Sequence, residues 1–254
     1  MNIGFLIDLS GTVYQGNELI PGADKALDLI RSKNIPVRFI TNSSRTPRSA
    51  ILQKLRRMGF ELNDSDLFTA PKAVAEYLRE HSLSPKLLVH PELRPEFDEF
   101  PSVSPNAVVI CDAAHEFTYD NLNQAFRLLL DGAPLLAVGD NRYFKDIDGF
   151  SLDAGPFAKA LEYAADCEAV FLGKPSPAFF HTAASGLGLS FRNIMMVGDD
   201  VLSDINGALK VGMKASLVRT GKYRSGDERR INAPGACICK NLFEAVQGFI
   251  DYVK

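Results

Sequence analysis

Four stretches of the chain close an apolar run with residues able to handle charge. Ile3 to Asp8 runs into Asp8-Leu9-Ser10-Gly11-Thr12, and a second run ends at Thr41-Asn42. A third leads into Gly173-Lys174-Pro175, and a fourth ends Gly198-Asp199-Asp200 with Asp204 following. Taken singly, each has an ordinary explanation. An Asp after a strand often caps the next helix, and a lone Lys is usually a solvated surface residue. Four such sets in one chain are hard to assign to caps. Asp8, Asp199 and Asp204 together cluster negative charge, and three carboxylates repel unless a cation sits among them. Oxygen ligands at a place that also takes phosphate favour Mg²⁺. Gly11 permits a tight turn with backbone N–H groups facing an anion, while Thr41, Asn42 and Lys174 add donors and a positive charge. The set fits a phosphoryl group held between a metal and fixed donors. An Asp carboxylate is also a competent nucleophile for phosphoryl transfer, through an aspartyl-phosphate.

The elements that must position these residues alternate between strand and helix. Short apolar runs at 3–8, 36–40, 87–89, 107–110, 135–138, 170–172, 193–197 and 214–218 predict buried strands. Helical spacing predicts helices after Pro21-Gly22 and over 47–58, 71–81, 119–130, 156–165, 177–185, 200–212 and 241–252. Such alternation implies parallel sheets covered on both faces. In open parallel sheets ligands bind at the carboxyl ends of the strands, where the four polar sets fall.

Composition narrows the partners. The 254 residues carry 28 basic and 31 acidic side chains, a net charge of −3, with 46% hydrophobic and 23% charged residues. That is the balance of a soluble globular protein rather than a disordered one. It lacks the basic excess of a nucleic-acid binder. No apolar run is long enough to span a membrane, and the opening residues reach Asp8 without the basic region of a signal peptide. A cytoplasmic protein is therefore expected. Cys111, Cys167, Cys237 and Cys239 match no zinc spacing and read as reduced thiols, with Cys237-x-Cys239 on one side of a late strand. The histidines at 81, 90, 115 and 181 show no ligand spacing.

With the four motifs in this order, the chain resembles the haloacid dehalogenase superfamily of phosphotransferases over nearly its whole length. The resemblance is to the branch with a large α/β cap, which includes N-acetylglucosamine-phosphate and nitrophenyl-phosphate phosphatases. Residues 8–14, 119–132, 149–163, 173–177 and 219–223 narrow it to a group acting on phosphoramidates and pyrophosphate. The implied fold is α/β: a doubly wound parallel-sheet (Rossmann-like) core, 1–72 and 173–254, with an inserted α/β cap domain, 73–172, that opens and closes over the site. The implied roles are specific. Asp8 would be nucleophile and Mg²⁺ ligand, and Ser10 would give the metal its carbonyl. Leu9, Ser10, Thr41, Asn42 and Lys174 would contact phosphate, with Lys174 also balancing charge. Asp199 would ligate Mg²⁺, with Asp204 binding or orienting and Asp200 assisting. The implied partners are a small phosphorylated substrate or phospho-amino acid and a second copy of the chain.

One departure shapes the expected activity. Most phosphatases of the superfamily carry a second Asp two residues after the nucleophile, as acid and base; here it is Ser10. A serine hydroxyl is a poor acid or base at neutral pH, and losing such a group costs on the order of 10² to 10⁴ in rate. Activated phosphates (phosphoramidates, pyrophosphate, aryl phosphates) should suffer least. The alternative is a catalytically weak relative that binds a phosphorylated ligand or a protein partner. Asp140, Asn141, Arg142 and Tyr143 are read as a loop that senses the leaving group or as plain surface. Lys222-Tyr223-Arg224 is read as a solvated loop.

Overall fold

The computed structural model describes residues 2–101, 103–146 and 149–253. The chain divides into two compact units. The first comprises Met1–Thr41, Leu52–Phe68 and Lys174–Lys254; the second comprises Asn42–Ile51 and Thr69–Gly173. Both are α/β.

The first unit is built on a six-stranded sheet in the order Ala236–Cys239, Lys214–Val218, Ile194–Gly198, Gly4–Asp8, Val37–Thr41, Leu67–Thr69. The strand Gly4–Asp8 lies inside it, parallel to Ile194–Gly198 on one side and Val37–Thr41 on the other, with Phe5 opposite both Met195 and Val37. A strand covered on both faces has no solvent side, which is why Phe5-Leu6-Ile7 is a continuous apolar run and is buried throughout. The helices that cover the sheet obey the helical period. Ala23–Ser32 buries Ala23, Ala26, Leu27 and Ile30, and it packs against Leu242–Tyr252, which buries Leu242, Ala245, Val246, Phe249 and Ile250. Each large aliphatic or aromatic side chain so buried contributes about 1.5–3 kcal/mol. Phe249 meets Phe5 edge to face, with ring centroids 5.6 Å apart. The Asn241 side chain starts that last helix by accepting from the Glu244 N–H at 3.1 Å.

The second unit has a four-stranded parallel sheet, in the order Val170–Phe171, Leu135–Ala137, Ala107–Ile110, Pro85–Leu88. Helices Tyr119–Leu130 and Ala154–Ala165 pack on it through Ala125, Leu129, Ala158 and Leu161. Thr118 and Asp153 cap their N-termini.

Three local features depart from the sequence reading. The strand Leu67–Thr69 and the antiparallel hairpin Tyr143–Asp146 with Gly149–Leu152 were not expected. The hairpin exposes its large apolar side chains Tyr143, Phe150 and Leu152, the reverse of the apolar-in, polar-out alternation that marks a strand packed on a core. The segment after Asp200 is not one α-helix: Val201–Asn206 is a π-type turn, and only Gly207–Lys210 is α-helical.

Candidate active site

The strand ends of the first unit deliver their polar residues to one place. Asp8 closes Gly4–Asp8, and Asp199 follows Ile194–Gly198 on the adjacent strand. Asp204 comes from the π-type turn. A ligand oxygen from each of Asp8, Asp199 and Asp204 lies within 4.8 Å of the others, and all three residues are buried. Lys174 is buried with them: its Nζ donates to Asp8 Oδ1 at 2.5 Å and to Asp204 Oδ1 at 2.7 Å. Thr41 ends the strand next to Gly4–Asp8 and is also buried. Asn42 is counted with the second unit, where it lines a small cleft with Ser44, Gly139, Asn141 and Asp153.

The electrostatics follow from this crowding. Burial first, then the charges of Asp8 and Asp204, push Asp199 up to about 8 against a hydrogen bond from the Lys222 main chain. Burial pushes Asp204 up to about 7; Lys174 pulls it down, while Asp8 and Asp200 push with burial. Burial pulls Lys174 down, but Asp204 and Asp8 outweigh it and hold its pKa above the ordinary lysine value. Three carboxylates with one ammonium leave an excess of negative charge. A hard divalent cation among oxygen donors is what relieves it, so the donor set fits Mg²⁺. Asp8, Asp199 and Asp204 are the side chains that would hold it.

The backbone is shaped around Asp199. Gly11 (φ +88°) and Gly221 (φ +58°) approach from different loops, and a Cβ on either would fall on Asp199 Oδ2. A Cβ on Gly198 would fall on the Asp204 carboxylate. The Lys222 N–H donates to Asp199 Oδ2 at 2.6 Å, and the Thr220 hydroxyl donates to the Gly11 carbonyl at 2.5 Å. Sequence reasoning used 219–223 for the resemblance and read Lys222-Tyr223-Arg224 as a solvated loop, and it missed this contact with Asp199. The Lys222 side chain is indeed exposed, but its main-chain N–H fixes a site carboxylate, and a main-chain donor leaves no residue-type signal. Gly221 after Thr220 was the available hint.

Two other assignments can be placed. The Asp200 side chain caps the turn that follows, accepting from Leu202 N–H at 3.0 Å and Ser203 N–H at 3.1 Å. Its Oδ2 lies 3.4 Å from Lys222 Nζ, and it stands outside the three-carboxylate cluster. Ser10 is exposed, and its backbone bridges to Tyr14. The Leu9 side chain is buried, and its carbonyl accepts from Val13 N–H at 2.8 Å, closing the turn that aims this loop.

Replacing Gly221 with Ala should displace Asp199, because the new methyl needs the space of its carboxylate and the left-handed backbone costs a side chain about 1–2 kcal/mol. Calorimetric titration should show Mg²⁺ affinity down at least about tenfold, the scale at which a group supporting a ligand acts. An unchanged affinity would remove Asp199 from the metal set.

Comparison with known proteins places the chain in a family. Residues 5–99 match the haloacid dehalogenase-like hydrolase family, and residues 171–245 match the HAD-hydrolase-like family. The chain is 42% identical over 248 residues to haloacid dehalogenase-like hydrolase domain-containing protein 2 of Pongo abelii, covering 98% of this chain and 96% of that protein. It is 44% identical over 231 residues to phospholysine phosphohistidine inorganic pyrophosphate phosphatase of Danio rerio, covering 89% and 86%. Among solved structures, 4-nitrophenylphosphatase from Thermotoga maritima superposes with a TM-score of 0.87 at 27% identity, covering 96% of this chain and 95% of that one. Full-length identity above 40% and a match at both ends of the chain make this protein a member of the haloacid dehalogenase-like hydrolases.

Proposed function

We propose that this chain is a Mg²⁺-dependent phosphatase that works through an aspartyl-phosphate on Asp8 and favours activated phosphates. The observation that carries the reading is the buried constellation of Asp8, Lys174, Asp199 and Asp204. A chain that only bound phosphate would have no use for a carboxylate at its centre, since like charges repel. Relatives named as phosphatases of phospholysine, phosphohistidine, pyrophosphate and nitrophenyl phosphate support the substrate class.

In this mechanism Asp8 attacks phosphorus and takes the phosphoryl group, and the leaving group departs in line. Lys174, fixed by Asp204, stays charged and offsets the negative charge that builds between carboxylate and phosphate. Thr41 donates to the phosphoryl oxygens, and Leu9, Ser10 and Asn42 complete its contacts. When bound, Mg²⁺ supplies positive charge that lets an anionic nucleophile approach an anionic substrate. Asp8, Asp199, Asp204 and the Ser10 carbonyl would hold it. Ser10 gives the leaving group no strong acid, so a leaving group that departs without a proton, or already carries one, reacts best. Residues 73–172 are assigned as the inserted α/β cap, and the working form as a cytoplasmic homodimer.

The test is phosphate release from a panel of imidodiphosphate, pyrophosphate, phosphohistidine, nitrophenyl phosphate and a sugar phosphate. Turnover of the activated members should vanish with a chelator and return with Mg²⁺. Equal turnover of the sugar phosphate, or turnover indifferent to the chelator, would sink the reading.

A further inference from the structure

The loop that fixes Asp199 also gathers positive charge. Residues 219–230 set Arg219, Lys222, Arg224, Arg229 and Arg230 against Asp227 and Glu228, a net +3 on a chain whose net charge is −3. All five basic residues are exposed, and both acids are half-buried. The acids are turned to the loop itself. Glu228 Oε2 accepts from the Tyr223 hydroxyl at 2.9 Å and from Gly226 N–H at 3.1 Å, and Asp227 Oδ2 accepts from Arg224 N–H at 2.8 Å. Arg230 lies 3.4 Å from Asp227 and Lys222 lies 3.4 Å from Asp200. Arg224 and Arg229 form no ion pair with any described residue.

The loop is tied to the site at both ends. Thr220 and the Lys222 N–H bind its start to Gly11 and Asp199. Asn206, in the π-type turn that carries Asp204, binds its end: the side-chain nitrogen donates to the Arg230 carbonyl at 3.0 Å, and the side-chain oxygen accepts from Asn232 N–H at 3.2 Å. Exposed positive charge is therefore anchored to the two elements that carry Asp199 and Asp204, and it favours an anion reaching out of the site.

This loop and Ser10 place two demands on a substrate. Its leaving group must depart without a donated proton, because Ser10 is no acid. It must also carry enough negative charge to use the loop. An aryl phosphate meets only the first demand, and an acidic peptide answers only the second. A phosphoanhydride chain meets both, since a phosphate leaving group titrates at about 6 and departs as an anion. We propose, resting on the phosphatase reading above, that the protein removes the terminal phosphate from linear polyphosphates of three or more phosphoryl groups, with loop 219–230 holding the rest of the chain. An Asp8 oxygen attacks the terminal phosphorus. The bond from that phosphorus to the bridging oxygen breaks, and its electron pair leaves with the shortened chain. Water then attacks the phosphorus of the aspartyl-phosphate, and the bond to Asp8 breaks. One proton of the water stays on the released phosphate, the other goes to solvent, and Asp8 is again a carboxylate.

The experiment compares kcat/KM for pyrophosphate, triphosphate, tetraphosphate and nitrophenyl phosphate, with Mg²⁺ in excess over total phosphate. The full-length protein is set beside Arg224→Gln/Arg229→Gln. Triphosphate should exceed pyrophosphate by about tenfold or more, releasing phosphate and pyrophosphate as first products. The ratio of triphosphate to nitrophenyl phosphate should fall about tenfold in the double variant. Added salt should lower the same ratio in the parent, because exposed charges are screened. Equal values for pyrophosphate and triphosphate, or a double variant that keeps the parent's ratio, would overturn the inference and leave the phosphatase reading standing. Calorimetric titration of triphosphate into Asp8→Asn separates binding from turnover. Affinity there should fall when Arg224→Gln and Arg229→Gln are added, and an unmoved affinity would remove the loop from the site. Poly-glutamate that displaced triphosphate at equal charge would overturn the inference in favour of an acidic peptide. Binding through the loop by a parent that turns over no substrate would overturn the phosphatase reading, and the hydrolysis with it, while keeping the polyphosphate site.

Discussion

Asp8→Asn should abolish phosphate release from every substrate while leaving the fold intact. Asn keeps the shape of the side chain but not the nucleophile, so the fall should be on the order of 10⁴-fold or more. Stability is the informative control, because two effects oppose each other. Lys174 loses its Asp8 partner, and stripping a buried charge of its partner costs about 3–5 kcal/mol when nothing replaces it. Here Asp204 remains 2.7 Å away. The cluster also sheds one of three mutually repelling carboxylates, the repulsion that helps push Asp199 up to about 8. The net change in unfolding free energy should stay within about 1 kcal/mol, a shift in Tm of about 2–4 °C for a chain of this size. Loss of turnover at nearly constant Tm would mark Asp8 as a reacting group. Turnover that survived in Asp8→Asn would end the covalent mechanism.

Ser10→Asp should raise turnover by about 10²–10⁴-fold on alkyl phosphates and by much less on nitrophenyl phosphate. The gain depends on the leaving group because an alkoxide needs a proton and nitrophenolate does not. The substitution is cheap for the fold: Ser10 is exposed, and surface changes usually stay within about 0.5 kcal/mol. Its cost falls on charge, since a fourth carboxylate joins Asp8, Asp199 and Asp204, and the variant should need Mg²⁺ more stringently. The measurement is the ratio of kcat/KM for a sugar phosphate over nitrophenyl phosphate, in parent and variant. A ratio that does not move would show that Ser10 does not occupy the acid–base position. A silent parent with an active variant would favour the weak, ligand-binding alternative.

These residues also show what could be read before any coordinates. Asp8, Lys174, Asp199 and Asp204 were legible because each is a charged residue closing or following an apolar run, where burial must be compensated. The frame was legible for the same reason, since buried parallel strands are nearly pure apolar runs. Four kinds of feature were not. Lys222 acts through its main chain, which its side chain does not advertise. Gly198, Gly11 and Gly221 make room for Asp204 and Asp199, and an absent Cβ identifies no partner until the loops are folded. The hairpin Tyr143–Asp146 with Gly149–Leu152 exposes the apolar Tyr143, Phe150 and Leu152, so hydrophobic alternation could not reveal it. The turn after Asp200 was read as an ordinary helix; it is π-type, and within it Asp204 Oδ2 accepts from Asp200 N–H at 3.2 Å while Oδ1 holds Lys174.

The strand order of the first sheet also bears on how the chain is made. Gly4–Asp8 is made long before one of its two sheet neighbours, Ile194–Gly198. Until that neighbour emerges, Phe5-Leu6-Ile7 presents an apolar strand with one edge unpaired, the kind of surface that associates wrongly. The sheet of the second unit, whose strands lie between Pro85 and Phe171, needs nothing from either terminus for its pairings. It can form on the nascent chain while the first strand waits. The carboxylate cluster is therefore complete only once Asp199 and Asp204 have been made, and a chain truncated before Asp199 lacks two of its three members and leaves an apolar strand edge unpaired.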